Sequence, residues 1–220
     1  MSNIELIIFD FDGVIVDSEH IYNKANKAAF IHAGIVMSDH EVNTRFIGMD
    51  FGSMLDMFTN DYGAERTLLY KNHVDVESRR LIDQELAAIP HIIEFLETTH
   101  LPYYIASNAH TEWTEHKIQL LDIGHLFGDI LVGTNSVPKP KPAPDMFKLA
   151  ADKAGIAYDK CVVIEDGIYG IQAAKHLGMA PLGFTGQIFK LPNHHETLTQ
   201  AGAILTFDDM RKLPNIIAGL

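Results

Sequence analysis

Four short stretches of the chain combine residue types that can do chemistry: Asp10-Phe11-Asp12-Gly13, Ser107-Asn108, Lys141-Pro142-Ala143-Pro144-Asp145 and Glu165-Asp166-Gly167. In extended chain, residues two apart point to the same side, so Asp10 and Asp12 are expected to present both carboxylates to one face. Adjacent carboxylates repel, which raises the pKa of one and prepares an ionised and a protonated partner. Gly13 lets the backbone turn sharply and approach a ligand. Ser107-Asn108 offers a hydroxyl, an amide and backbone N–H groups to an anion, or it simply caps a helix. The prolines around Lys141 restrict its loop and hold an ammonium in place, although most lysines are merely solvated. Glu165 and Asp166 add two acids. Carboxylate oxygens with no cysteine or clustered histidine beside them favour a hard cation, and phosphate chemistry makes that Mg²⁺.

The elements that must position these groups follow from the apolar pattern. Leu6 to Phe9, Tyr103 to Ala106, Ile130 to Val132, Cys161 to Ile164, Pro181 to Phe184 and Ile204 to Phe207 are predicted as buried strands. Helical patterns lie between them, over Ile92 to Thr98, Thr111 to Leu121, Asp145 to Ala154 and Ile168 to Leu177, with glycines following the last three. Strands alternating with helices imply an α/β fold, a doubly wound parallel sheet of Rossmann-like type. Ligands of such sheets sit at the carboxyl ends of the strands, and each of the four stretches follows a predicted strand. Four such coincidences are improbable as decoration.

From Ser18 to Ala87 no strand is expected. Ile21, Ala25, Ala28 and Ala29 recur at helical spacing, Ser38 and Glu41 read as a capping box, and further helices are predicted around Ser53 to Thr59 and Glu65 to Leu86. The expected organisation is therefore a discontinuous α/β core over residues 1–17 and 88–220, with an inserted α-helical cap domain over 18–87 that could close over the active edge. Across 220 residues, 47% hydrophobic and 21% charged, a sizeable core is available without staples. The lone Cys161 excludes a disulfide framework. A formal charge of −12 argues against nucleic-acid and anionic-membrane partners, though not against an anionic ligand held by a few local cations. The opening Ile4 to Phe9 run lacks a basic leader, so a cytoplasmic protein is expected.

Taken in order, these motifs resemble the haloacid dehalogenase superfamily, in particular the β-phosphoglucomutase-like phosphatases with a small helical cap. The resemblance covers nearly the whole chain. Phe9 to Glu19 is similar to the first motif and is the most specific. Ser107-Asn108 is similar to the second, Lys141 to Asp145 to the third, and Ile164 to Gly167 through Gly170, Ala173, Ala174 and Gly178-Met179 to the fourth. Gly167 departs from the serine common in relatives. The resemblance implies a phosphatase in which Asp10 is the nucleophile, Asp12 the acid and base, and Mg²⁺ is held by Asp10, the Asp12 carbonyl and Asp166. Glu165 would be a further ligand or an acceptor behind the ligands. Ser107, with Asn108, and Lys141 would hold the phosphate; Lys141 is preferred over Lys139 because an acid follows it four residues later.

Several rivals share this framework. Asp12 argues against a dehalogenase, whose leaving halide needs no proton, and against phosphonate-cleaving relatives that lack this aspartate. A sugar-phosphate mutase would typically carry a cap histidine where Tyr22 stands, and His20 is two positions off. A phospho-accepting receiver module would need neither this length nor the helical insertion. His91, His194 and His195 show no metal-ligand spacing, and Trp113 and Phe95 read as packing residues. Arg45, before Gly48, is predicted to reach a remote anionic end of the substrate, with a pair to Glu41 as the alternative. The expected partner is a small phosphorylated metabolite of the sugar phosphate or phosphogluconate type. A monomer is expected, with a dimer left open.

Overall fold

The structure, a computed structural model, describes residues 3–38, 41–42, 51–128, 130–188 and 193–220. Six strands form one parallel sheet: β1 (Leu6–Phe9), β2 (Tyr103–Ala106), β3 (Leu131–Val132), β4 (Cys161–Glu165), β5 (Ala180–Phe184) and β6 (Leu205–Phe207). Their spatial order is β3-β2-β1-β4-β5-β6, and the expected α/β fold is the one observed. Each strand lies within one residue of its predicted ends. Every residue of β1 and β4 is buried, and both are apolar throughout except for Glu165 at the end of β4, as central strands covered on both faces must be.

Helices supply both covers. Alternate residues Leu6, Ile8, Cys161 and Val163 share one face, where they pack with Phe147 and Ala150 of α6 (Asp145–Ala154) and Ala173 and Ala174 of α7 (Ile168–His176). The opposite face carries Phe9, whose ring meets Phe95 of α4 (Ile92–Thr98) edge-on at 6.1 Å. Phe95 is therefore a packing residue. Three more α-helices lie on this part of the chain among the described residues: α5 (Thr111–Leu120), α8 (His194–Ala201) and α9 (Leu213–Ala218). Register sets Phe9 beside both Ile105 and Ile164. The carboxyl ends of β1, β2 and β4 consequently lie side by side, and the residues that follow them share one edge.

The chain divides into two compact units, Met1–Asp17 with Ala87–Leu220, and Ser18–Leu86. The second contains α1 (Glu19–His32), α2 (Phe51–Tyr62) and α3 (Ala64–Glu85), with no strand among its described residues. Its core is aromatic: Phe30 stacks on Tyr70 at 4.7 Å, and Phe58 meets Phe30 and Tyr70 edge-on at 5.3 and 5.0 Å. The buried Tyr70 hydroxyl donates to Asn26 Oδ1 at 2.6 Å, which satisfies its polar tip. The capping box is present. Ser38 N–H donates to Glu41 Oε2 at 2.8 Å, and Glu41 N–H donates to Ser38 Oγ at 3.2 Å.

Candidate active site

Asp10 closes β1, its N–H donating to the Ile164 carbonyl at 2.9 Å. The chain then turns at once. The Phe11 carbonyl accepts from the N–H groups of Ile15 at 2.8 Å and Val16 at 3.1 Å, and Gly13 N–H donates to the Val16 carbonyl at 2.8 Å. The turn itself runs over residues 13–15, and Asp12, just before it, forms an isolated bridge with Val16. The cause is apolar: Phe11, Val14, Ile15 and Val16 are all fully buried, and burying them folds the segment back. Gly13 is required twice over. Its φ of +77° is left-handed, and a Cβ there would stand 2.0 Å from Asp166 Oδ2.

One lysine ties two strand ends together. Lys141 Nζ lies 2.9 Å from Asp10 Oδ1 and 2.5 Å from Glu165 Oε1, with its side chain only 3% exposed. Glu165 Oε2 accepts from Gly167 N–H at 3.0 Å, so both oxygens of this buried carboxylate are engaged. Gly170 on α7 leaves the space: a Cβ at that position would overlap the Glu165 carboxylate. Burial and then the Glu165 charge push the Asp10 carboxyl up to about 7, opposed by the Lys141 ammonium. Asp12 adds the smallest contribution to this shift, so the expected two-aspartate repulsion is secondary to Glu165 and desolvation. For Lys141, burial acts downward, and the charges of Asp10 and Glu165 outweigh it to hold the ammonium above the ordinary lysine range.

The flanking groups are also fixed. Ser107 is buried, donates its N–H to the Val132 carbonyl at 2.9 Å and accepts from Ala109 N–H through Oγ at 3.1 Å. Asn108 locks onto the backbone of Lys141, giving an Nδ2 hydrogen bond to its carbonyl at 3.2 Å and accepting its N–H at 3.0 Å. That amide thus sets the position of the Lys141 loop. Asp166 Oδ2 accepts from Gln187 Nε2 at 3.0 Å, and the same amide donates to the Gly13 carbonyl at 2.9 Å. His194 Nε2 donates to the Asp166 carbonyl at 2.6 Å. Arg45 lies outside the described residues.

Three residues at this edge escape a motif reading. Gln187 and His194 follow β5, a strand end to which no motif was matched. Lys117, on the last turn of α5, has a fully buried side chain whose Nζ hydrogen-bonds Asp12 Oδ1. A helical wheel carries the missing signal for Lys117, because Thr114, Lys117 and Ile118 are the buried residues of α5 and fall on one face.

One carboxylate oxygen from each of Asp10, Glu165 and Asp166 lies within 4.8 Å of the others. The donors are all hard oxygens, and of these groups and Lys141, three can be anionic and one is cationic. That set fits a hard divalent cation such as Mg²⁺.

A six-stranded parallel sheet with acids after β1 and β4, and a lysine between them, defines a class. The haloacid dehalogenase-like hydrolase family model matches residues 7–184, and the chain belongs to that family. It is 29% identical over 217 residues to the 6-phosphogluconate phosphatase of Escherichia coli K12, covering 98% of this chain and 96% of that one. It is 26% identical over 204 residues to a phosphorylated carbohydrates phosphatase of Thermotoga maritima, covering 91% and 92%. Among solved structures, a conserved haloacid dehalogenase-like protein of unknown function from Agrobacterium tumefaciens superposes with a TM-score of 0.85 at 29% identity, covering 98% of each chain. Among the described residues, no helix is long and apolar enough to cross a membrane.

Proposed function

We propose that this chain is a Mg²⁺-dependent phosphatase of a small phosphorylated metabolite, of the sugar phosphate or phosphogluconate class, working through an aspartyl phosphate on Asp10. The observation that carries the reading is the Asp10 carboxylate at the end of β1, 2.9 Å from the Lys141 ammonium and within metal-sharing reach of Glu165 and Asp166. The phosphatase relatives support the reaction class, and their names supply the substrate class.

Asp10 attacks phosphorus, forming a carboxylate oxygen–phosphorus bond as the bond to the ester oxygen breaks. Asp12 gives the leaving oxygen its proton, then takes one from the water that attacks phosphorus, forming inorganic phosphate as the bond to the Asp10 oxygen breaks and the carboxylate is regenerated. Lys141 and Ser107 hold the non-bridging oxygens while charge moves across them. Asp10, Asp166 and the Asp12 carbonyl would hold Mg²⁺, whose charge lets a carboxylate approach an anionic phosphate. In this reading Glu165 serves chiefly to anchor Lys141, since its two oxygens already accept from Lys141 and Gly167. The helical unit, inserted directly after the Asp12 turn, acts as the cap, with Arg45 as its contact to a remote anionic group of the substrate.

A screen of phosphorylated metabolites with Mg²⁺, read as inorganic phosphate, tests this. Stoichiometric phosphate release from a sugar phosphate or phosphogluconate is expected. Isomerisation of a sugar phosphate without phosphate release would overturn it. Arg45→Ala should raise KM for the preferred metabolite while a simple aryl phosphate is hydrolysed as before; equal kinetics on both would remove Arg45 from the site.

A further inference from the structure

A lysine with no exposed side chain is rare, because long cationic side chains normally keep their heads in water. Lys117 is such a residue: its side-chain exposure is 0%, and its Nζ is hydrogen-bonded to Asp12 Oδ1. Two ring faces flank the ammonium, Phe11 at 5.8 Å and Trp113 at 5.7 Å. Trp113 in turn stacks on His116 at 5.0 Å, so the wall beside the lysine is itself braced. Burying a cation is costly unless it is paired and surrounded by groups that favour charge, and the carboxylate and the two rings do this here. The stem is anchored on α5, while the head reaches the turn after β1. Helix and sheet edge, far apart in sequence, are thereby tied through one side chain.

Asp12 stands at the start of a turn, with 21% of its side chain exposed, and two side-chain bonds set where its carboxylate points, so each contact to that carboxylate helps to fix it. A proton donor is effective only when held within about half an ångström of its productive position. We propose that Lys117 is a positioning residue that holds the Asp12 carboxyl group where it protonates the leaving oxygen. This deepens the phosphatase reading and rests on it, specifically on Asp12 as the proton donor. Lys117 touches Asp12, and its effect on turnover comes through that carboxyl group.

The test compares two aryl esters of similar shape whose leaving groups differ in their need for a proton. Phenyl phosphate expels a basic oxygen, whereas dinitrophenyl phosphate leaves readily as an anion. The parameter kcat/KM includes only steps up to the first irreversible one, so it isolates phosphoryl transfer to Asp10. Lys117→Met is expected to lower kcat/KM for phenyl phosphate on the order of 30-fold, part of what general acid catalysis supplies, and for dinitrophenyl phosphate by less than about threefold. A lysine that merely fills space would lower both alike. An equal loss on both esters, or no loss on either, would overturn the proposal. Asp12→Asn separates this from the parent reading. If it loses phenyl phosphate selectively and Lys117→Met does not, only the role of Lys117 fails; if Asp12→Asn itself shows no selectivity, Asp12 is not the donor and both fall. Should Lys117→Met not fold by circular dichroism, Lys117→Gln keeps a polar head on a slightly shorter stem and carries the same comparison.

Discussion

The two units of this chain handle charge in opposite ways. At the carboxyl edge of the sheet, ammonium groups are buried against carboxylates: Lys141 with Asp10 and Glu165, and Lys117 with Asp12. In the helical unit the core is aromatic, and ion pairs lie outside it, as with Lys24 and Glu85 at 2.5 Å, whose side chains are 54% and 35% exposed. The first arrangement is costly to desolvate and repays that only through geometry, while the second is nearly free and contributes little. Buried pairs at strand ends therefore mark where position matters for chemistry. The Phe30–Phe58–Tyr70 cluster marks where a fold is being held together.

Substitutions sharpen that contrast. Asp10→Asn, nearly isosteric but no nucleophile, should cost turnover on the order of 10⁴-fold or more while leaving the circular dichroism spectrum intact. Phosphate release within tenfold of wild type would break the account of the sheet edge. Phe58→Ala should cost about 3–5 kcal/mol of stability in denaturant titrations, because a fully buried ring leaves a cavity among Phe30 and Tyr70. A midpoint shift equivalent to less than about 1 kcal/mol would mean that this cluster does not hold the unit. Glu165→Gln replaces one of the two carboxylates on the Lys141 head by a neutral amide and should lower kcat by about 10²-fold, the scale seen when one transition-state donor is misplaced. Unchanged kcat there would separate Glu165 from Lys141. Lys24→Ala should change stability by less than about 1 kcal/mol, as exposed pairs do, and a larger loss would remove the contrast between the two units.

The strand ends were readable from sequence because a central parallel strand is an unbroken apolar run, and its end is where polarity returns. Ile164 to Asp166 shows this change within three residues. Asp10 with Asp12, Ser107, and Glu165 with Asp166 were read by that rule, and Lys141 by the prolines around it. The turn after Asp12 was signalled by Gly13, whereas its extent to Val16 was not, since Phe11 to Val16 alternates in no way that separates a strand from a compact turn. Lys117 was hidden for another reason. A lysine in the last turn of a helix reads as a favourable charge at the negative end of the dipole, pointing to water. Its burial depends on the β1 turn, more than a hundred residues earlier in the chain. Gln187 and His194 reach Asp166 from beyond β5, through contacts that only the assembled sheet creates.

The central claim is that Asp10 takes the phosphoryl group, and rapid acid quench during turnover tests it most directly. With a metabolite that the screen shows to be hydrolysed, the quenched protein is digested and its peptides are weighed. The peptide containing Asp10 should carry one phosphoryl group at early times, sensitive to hydroxylamine as an acyl phosphate is, and absent in Asp10→Asn. A phosphoryl group on any other peptide, or phosphate release with no modified enzyme at any time under saturating substrate, would contradict the account.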